Sequence, residues 1–322
     1  MVSSLVSEQT ASKKKNGLFV PAPTHVVAII NPNAGVRRGQ RLLNIIERRK
    51  WPARVTTFAT EPGSLDAYHR AIDFARETDA SRLLVAGGDG TLMEALTAML
   101  GSGEPIPISI VPIGTGNIVA NDLSLPRRML RALKQAFLPG TLRWWDVGRL
   151  VETDQIFALR ASVGHDARTL AITRDESKQR WGTMAYAYPA LRELIRTNPS
   201  KFTLHIDDQQ PIVAHGITAF VAVTSRVAGR LDIVLSHDIR PDDGLLHVGI
   251  IHRRQWHRNV PQMLTRGDLE GAHIVTSYPV REHVRIECDP PQLMQVDGEL
   301  LDTRATLSVE VIAGAAPFIT PV

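Results

Sequence analysis

The chain has 322 residues, 43% of them hydrophobic and 22% charged, with a formal net charge of +4. These ordinary globular values exclude a wholly disordered chain, a collagen and a disulfide-built mini-protein. The longest aliphatic run, Val26 to Ile30, is far below a membrane span of ~18 residues, and the lone Cys288 permits neither an internal disulfide nor a Cys-built zinc site. A reducing compartment fits, and peripheral membrane contact stays open. The small basic excess favours an anionic partner without choosing among nucleotide, nucleic acid and acidic lipid.

In chain order, residues 1–22 read as a disordered tail with Lys13-Lys14-Lys15 in a Ser-rich start. No apolar stretch follows these lysines, so the segment is not a signal peptide. A basic tail suits anionic lipid, but an unselected solvated extension is the favoured reading. Val26 to Ile30 reads as a buried parallel strand ending at Asn31-Pro32. A helix follows from Arg41 to Lys50, then a strand over Arg54 to Phe58. The next helix runs from Ser64, its N-cap, to Glu77. Strands at Leu83 to Ala86 and Ile108 to Val111 alternate with helices at Thr91 to Leu100 and Arg127 to Phe137. This alternation predicts a doubly wound α/β domain over residues 23–145.

The pattern changes near Trp144-Trp145-Asp146. Strands are expected at Ile156 to Val163, Lys201 to Asp207, Ile212 to Thr224, Leu231 to Leu235, Leu245 to Ile251, Val284 to Cys288 and Ala305 to Ile312. Helices at Ser177 to Arg196 and Gln255 to Thr265 interrupt them. A mainly-β sandwich or barrel over residues 146–312 follows from this pattern.

Three strand ends carry polar, glycine-bearing loops. Gly87-Gly88-Asp89-Gly90-Thr91 lies between a strand and a helix, where free amides and the helix dipole favour phosphate. Asp89 repels phosphate unless magnesium or its waters stand between them; a tight turn capped by Asp89 is the alternative, and the nucleotide reading leads. Gly114-Thr115-Gly116-Asn117 and Asn31-Pro32-Asn33-Ala34-Gly35 follow two other strands, so all three loops share one carboxyl-end rim. Neither a Walker lysine pattern nor a complete G-x-G-x-x-G is present. Further along, Asp297-Gly298-Glu299 reads first as a hairpin turn, since Asp-Gly is a strong hairpin signal. Arg240-Pro241-Asp242-Asp243-Gly244-Leu245 is also turn-like, and its carboxylates and carbonyls suit a hard cation. Asp146 falls at the expected domain junction.

Together these strings resemble the diacylglycerol kinase catalytic-domain family, in its bacterial soluble lipid kinase branch. Its signatures appear in order: Asn31 to Gly35, Gly87 to Thr91, Gly114 to Asn117, Gly164-His165-Asp166-Ala167, Asp242 to Leu246, and Asp297 to Glu299. The resemblance covers roughly residues 25–320. It implies a nucleotide domain like those of NAD kinase and phosphofructokinase and a β-sandwich behind it. The chain's end, residues 313–322, packs back on the first domain in this family.

The activity implied is ATP-dependent phosphorylation of a lipid hydroxyl, with ATP and magnesium as cofactors. By position, Asn31, Thr60, Gly87, Gly88, Asp89, Gly90, Thr91, Leu92, Met93, Gly114, Thr115 and Asn117 would contact ATP. Asp89 and Asp146 would organise the catalytic magnesium. Glu299, with Asp297 beside it, would supply acid–base catalysis. A second, structural magnesium would use the backbone of Arg240 and Leu245 and the side chain of Asp243.

The implied setting is cytoplasmic, peripheral at the inner membrane surface, with no nucleic-acid partner and room for a homodimer. Ala34, Met93 and Ile118 depart from the family pattern, where Ser, Asn and Asp are common, and Asp122 is placed to substitute in part. Trp181, Met184, Tyr188, Leu191 and Ile195 share one helical face that suits an acyl groove or simple packing. Arg253 to Arg258 mixes cations with Trp256, as docking segments and solvated helix starts both do. A soluble-substrate kinase and a non-catalytic nucleotide-binding regulator are the alternatives.

Overall fold

The computed structural model describes residues 16–61, 64–167, 198–228, 231–252 and 268–322. The helices expected at 177–196 and 255–265, the two segments with membrane-docking character, and residues 1–15 of the expected tail lie outside them. The N-terminal half contains β1 (Leu18–Val20), β2 (His25–Ile30), α1 (Arg38–Arg48), β3 (Arg54–Ala59), α2 (Asp66–Glu77), β4 (Arg82–Gly87), α3 (Asp89–Leu100), β5 (Ile108–Pro112), α4 (Ile118–Asp122) and α5 (Met129–Gln135). There follow β6 (Gly140–Leu150), β7 (Ile156–Phe157), β8 (Arg160–Gly164), β9 (Ser200–Ile206), β10 (Ile212–Gly216), β11 (Thr218–Ala222), β12 (Arg226–Ala228) and β13 (Leu231–Val234). The last four strands are β14 (Leu246–Ile251), β15 (Val275–Val280), β16 (His283–Val296) and β17 (Glu299–Thr320).

The first half is a parallel sheet in the order β3-β2-β4-β5. Every residue of β2 and β4 is buried, because helices cover both faces. Tyr68, Ala71 and Ile72 of α2 and Ala95 and Leu96 of α3 pack on one side. Leu42 and Ile46 of α1 and Ala132 and Leu133 of α5 pack on the other. The second half is antiparallel, with β15-β14-β11-β8-β16-β17 side by side and β9 also paired to β16. Its core joins Val163, Phe202, Leu204, Val221, Val248, Ile286 and Val309. The α/β domain and the β-sandwich expected from the sequence are both present.

Each difference has a specific cause. Leu18–Val20 is a strand, not part of a tail, because Leu18, Phe19 and Val20 pair with Leu142, Thr141 and Gly140 of β6. The helix expected from Ser64 starts at Asp66, and Ser64 Oγ instead accepts the Asp66 N–H at 3.3 Å. A short serine turn thus precedes the helix rather than capping it. The composition break near residue 145 falls inside β6, whose register with β17 runs from Thr141 through Leu150. The strand expected at Ile212 to Thr224 is two strands, β10 and β11, paired to different partners.

Arg82 is fully buried at the start of β4. Its guanidinium donates to the carbonyls of Ala136 at 2.8 Å, Leu138 at 3.0 Å and Pro21 at 3.0 Å. It therefore ties the end of α5 and the approach to β2 to the sheet. Burial lowers its pKa to about 10, so it stays charged at neutral pH. Arg82→Ala strands these carbonyls and opens a cavity. It should lower stability by about 2–5 kcal/mol, read from urea unfolding.

Candidate active site

In a doubly wound sheet the loops after neighbouring strands meet on one rim. Here they meet backbone to backbone. Gly87 carbonyl accepts the amides of Ile113 at 2.9 Å and Gly114 at 3.1 Å. A Cβ at Gly114 would lie 2.5 Å from Gly88 Cα, and one at Gly35 would lie 2.0 Å from the Ile113 carbonyl oxygen. These glycines are needed for loop-on-loop contact. Gly90 is different: a Cβ there meets nothing within 4 Å, so its surface is open to a ligand. It stands in the first turn of α3, whose N-cap, Gly88, makes no side-chain hydrogen bond.

Behind this turn lies a polar layer. Asn31 Nδ2 donates to Thr91 Oγ1 at 3.2 Å, and Asn31 Oδ1 accepts the Asn33 N–H at 2.9 Å. The Tyr68 hydroxyl donates to Glu94 and also interacts with Thr60 and Thr91. Leu92 and Met93 are buried in the core, so they can offer a ligand only backbone. Thr115 is exposed at its loop tip, while Asn117 Nδ2 folds back onto the Gly114 carbonyl at 2.8 Å.

Asp89 is the first residue of α3. Its carboxylate accepts the Val119 amide at 3.3 Å, which ties two of the rim loops together. Burial raises its pKa, and the amides at Ile118, Val119 and Asn117 oppose the rise. Asp122 forms an ion pair with Arg226 and is raised by burial, with the Asp89 charge adding to it. Arg226 thus brings a cation from the second half to this acidic site.

In the second half, Asp297 and Gly298 form the tight turn between β16 and β17, with Val296 opposite Glu299. Both central residues have positive φ, 47° and 87°, as a two-residue hairpin of primed type requires. The Asp297 carboxylate accepts the amides of Ala158 at 3.0 Å, Leu159 at 3.1 Å and Arg160 at 2.8 Å. Burial pushes its pKa up to about 7 against the pull of these amides, and the Asp89 charge adds to the rise. Glu299 is exposed, and its charge reinforces the burial that raises Glu94. The hairpin therefore faces the first turns of α3. Glu94 has a sequence signal: it is the one charged residue of α3 after Asp89. Arg226 has none, because only the tertiary structure brings it to α4.

Asp146 is anchored elsewhere. Its oxygens accept the amides of Gly244 at 2.8 Å and Gly314 at 2.7 Å, and its own amide donates to the Pro241 carbonyl at 2.7 Å. Burial pushes its pKa from 3.8 up to about 6, with the Asp243 and Asp242 charges adding to the rise. Asp243 accepts the Leu245 amide at 3.1 Å, and Asp242 pairs with Arg143 at 2.6 Å. Arg240 is exposed at the edge of this turn. The two acids that the resemblance gives to one magnesium are thus held by different turns. Among the described residues, no three His, Cys, Asp or Glu side chains form a ready metal cluster.

Two outcomes follow from this packing. Gly114→Ala should destabilise the fold by about 1–3 kcal/mol through the clash with Gly88, whereas Gly90→Ala should leave the melting temperature unchanged or slightly raised. For Asp146 the folded state binds the extra proton. Its contribution to stability is full below pH about 4 and is lost as pH rises through about 6. A urea-midpoint titration should show that slope in the native chain and a shallower one in Asp146→Asn.

Residues 25–150 match the family model of the diacylglycerol kinase catalytic domain, and residues 160–319 that of the YegS C-terminal NAD kinase beta sandwich-like domain. A diacylglycerol kinase of Mycobacterium tuberculosis is 33% identical over 189 residues, covering 57% of this chain and 58% of that protein. The matched stretch thus spans less than two thirds of that relative. A crystal structure of a diacylglycerol kinase from Bacillus anthracis str. Sterne matches with TM-score 0.65 at 16% identity, over 92% of this chain and 97% of the other. Yeast NADH kinase complexed with NADH matches with TM-score 0.51 at 11% identity, over 93% and 84% of the two chains. At these identities the two structures show a shared fold. With both halves matched in order, the chain belongs to the diacylglycerol kinase catalytic-domain family.

Proposed function

We propose that this protein is an ATP- and magnesium-dependent lipid kinase. It transfers the γ-phosphoryl group to a lipid hydroxyl, that of diacylglycerol or a related lipid alcohol. The carrying observation is that the Asp297–Glu299 hairpin of the second half faces the first turns of α3, close enough for Asp89 to act on Asp297 and Glu299 on Glu94. The names of the relatives point the same way.

The residues present fit a magnesium nucleotide better than a bare one. The open surface at Gly90 and the uncapped start of α3 suit phosphate oxygens. Asp89, Asp122, Glu94 and Glu299 would repel those oxygens unless a divalent cation compensates them. Asp89 is the residue placed to hold that cation on the nucleotide side. Asp146 braces the Asp243 turn, whose carboxylate and the Arg240 and Leu245 backbone suit a second ion. Magnesium, when bound, offsets charge that develops on phosphate oxygens.

Geometry divides the two hairpin acids. The Asp297 carboxylate is taken up by backbone amides, so its role is to hold the turn. Glu299 is exposed beside the first turns of α3 and is the proton acceptor. It takes the proton of the acceptor hydroxyl as that oxygen bonds to the γ-phosphorus and the bond to the ADP oxygen breaks. Asn31, Thr91, Thr60 and Tyr68 keep the phosphate loop in place from behind, and Thr115 and Asn117 close its far side. No helix among the described residues is long and apolar enough to cross a membrane. The enzyme meets its lipid from the cytoplasmic side, at the bilayer surface.

The test is incubation with γ-labelled ATP, magnesium and a panel of diacylglycerol, ceramide, sphingosine, phosphatidylglycerol and monoacylglycerol. A labelled lipid is expected. Labelling of NAD with none of lipid would reject the acceptor class. Glu299→Gln should lower kcat by about 100- to 10,000-fold with little change in the melting temperature. Gly90→Ala should weaken ATP binding by calorimetry in a fully folded protein. An unchanged ATP affinity would remove α3 from the nucleotide site.

A further inference from the structure

The Asp297–Gly298 turn carries more support than a hairpin needs. Beside it, Gln295 of β16 is buried, opposite the buried Ser162 of β8. Gln295 Oε1 accepts the Gly298 N–H at 2.9 Å. Its Nε2 donates to Ser162 Oγ at 2.7 Å and to Asp166 Oδ2 at 3.3 Å. Ser162 Oγ in turn donates to Asp166 Oδ2 at 3.0 Å, and Arg160 Nη2 pairs with the same oxygen at 3.1 Å.

This arrangement needs an amide. One atom must accept from Gly298 while another donates to Ser162 and Asp166, and among side chains of this length only glutamine does both. A glutamate would bring a second carboxylate to Asp166 with no proton between them, and a methionine would leave the buried partners unpaired. A buried network of this kind is rigid when every member is satisfied and expensive when one is missing. Asp297 fixes one end of the turn to residues 158–160. Gln295 fixes the next amide, one residue before Glu299.

We propose that Gln295 is a positioning residue. Through the Gly298 amide it sets where the Glu299 carboxylate stands, and it ties that position to Arg160 of the neighbouring strand and Asp166 just beyond its end. The proposal rests on the reading of Glu299 as proton acceptor. Its effect is on the chemical step, since the bond reaches the turn and not the nucleotide loops.

The test compares the native chain, Gln295→Met, Gln295→Glu and Gln295→Glu combined with Asp166→Asn. Gln295→Met should lower kcat about 10- to 100-fold with KM for ATP unchanged, because a displacement near 1 Å is enough for that loss. Amide hydrogen exchange at the 297–299 turn should quicken in the same variant. Gln295→Glu should lose kcat, and adding Asp166→Asn, which restores a donor beside the new carboxylate, should recover part of it. The proposal is overturned if the folded variants keep native kcat and native exchange at the turn, or if the second substitution gives no recovery. If Gln295→Met fails to fold, the Gln295→Glu pair decides the matter alone. If the native chain phosphorylates no lipid, the functional reading fails, while the exchange rates at the turn still decide whether Gln295 holds it.

Discussion

β17 hydrogen-bonds to β16 along its first part, to β6 along its middle and end, and to β5 at Phe318. One strand of 22 residues therefore begins at the acidic turn and ends inside the parallel sheet of the other half. The irregularity between Ile312 and Ala316 is where it passes from one core to the other. Gly314, in that bend, donates its amide to Asp146, which also holds the Gly244 turn. The relation between the two halves, and with it the gap between α3 and the hairpin, is set by this shared strand and its pairing to β6.

On the rim, glycine serves two separate ends. Gly35 and Gly114 let three loops touch through their backbones, and a side chain at either would force the loops apart, whereas one at Gly87 would strike the Thr91 side chain of its own loop. Gly90 touches nothing and leaves the start of α3 bare. The motif that reads as a phosphate cradle is thus mostly a packing device with one open position. The acids behave in a similar way. Asp89 and Asp297 each spend hydrogen-bonding capacity on backbone amides that join separate segments, and Glu299 is left exposed.

The turn and the chemistry of Asp297-Gly298-Glu299 are compatible. A hairpin of primed type is compact and leaves its flanking residues in a fixed register, which suits the proton-accepting role proposed for Glu299. The departures at Ala34, Met93 and Ile118 are absorbed by packing: Ala34 and Ile118 lie against the core, and Met93 is buried within it.

Val26 to Ile30, Leu83 to Ala86 and Ile108 to Val111 were legible as parallel strands, because a strand covered on both faces must be apolar throughout. The order of the polar loops was legible too, since local turn chemistry dictates glycine, Asn and Asp at those positions. The start of α3 at Asp89 and the path of β6 were not, because they depend on partners far along the chain, and the start at Asp66 was displaced by the serine turn before it. Nor could the sequence divide the labour between Asp297 and Glu299, or bring Arg226 to Asp122 and Gln295 to Gly298. Hydrophobic period and turn residues are local properties, and they specify elements and motifs. Which carboxylate is bound by amides and which is left to face the cleft depends on strand register and on charges more than a hundred residues apart, and only the folded chain decides those.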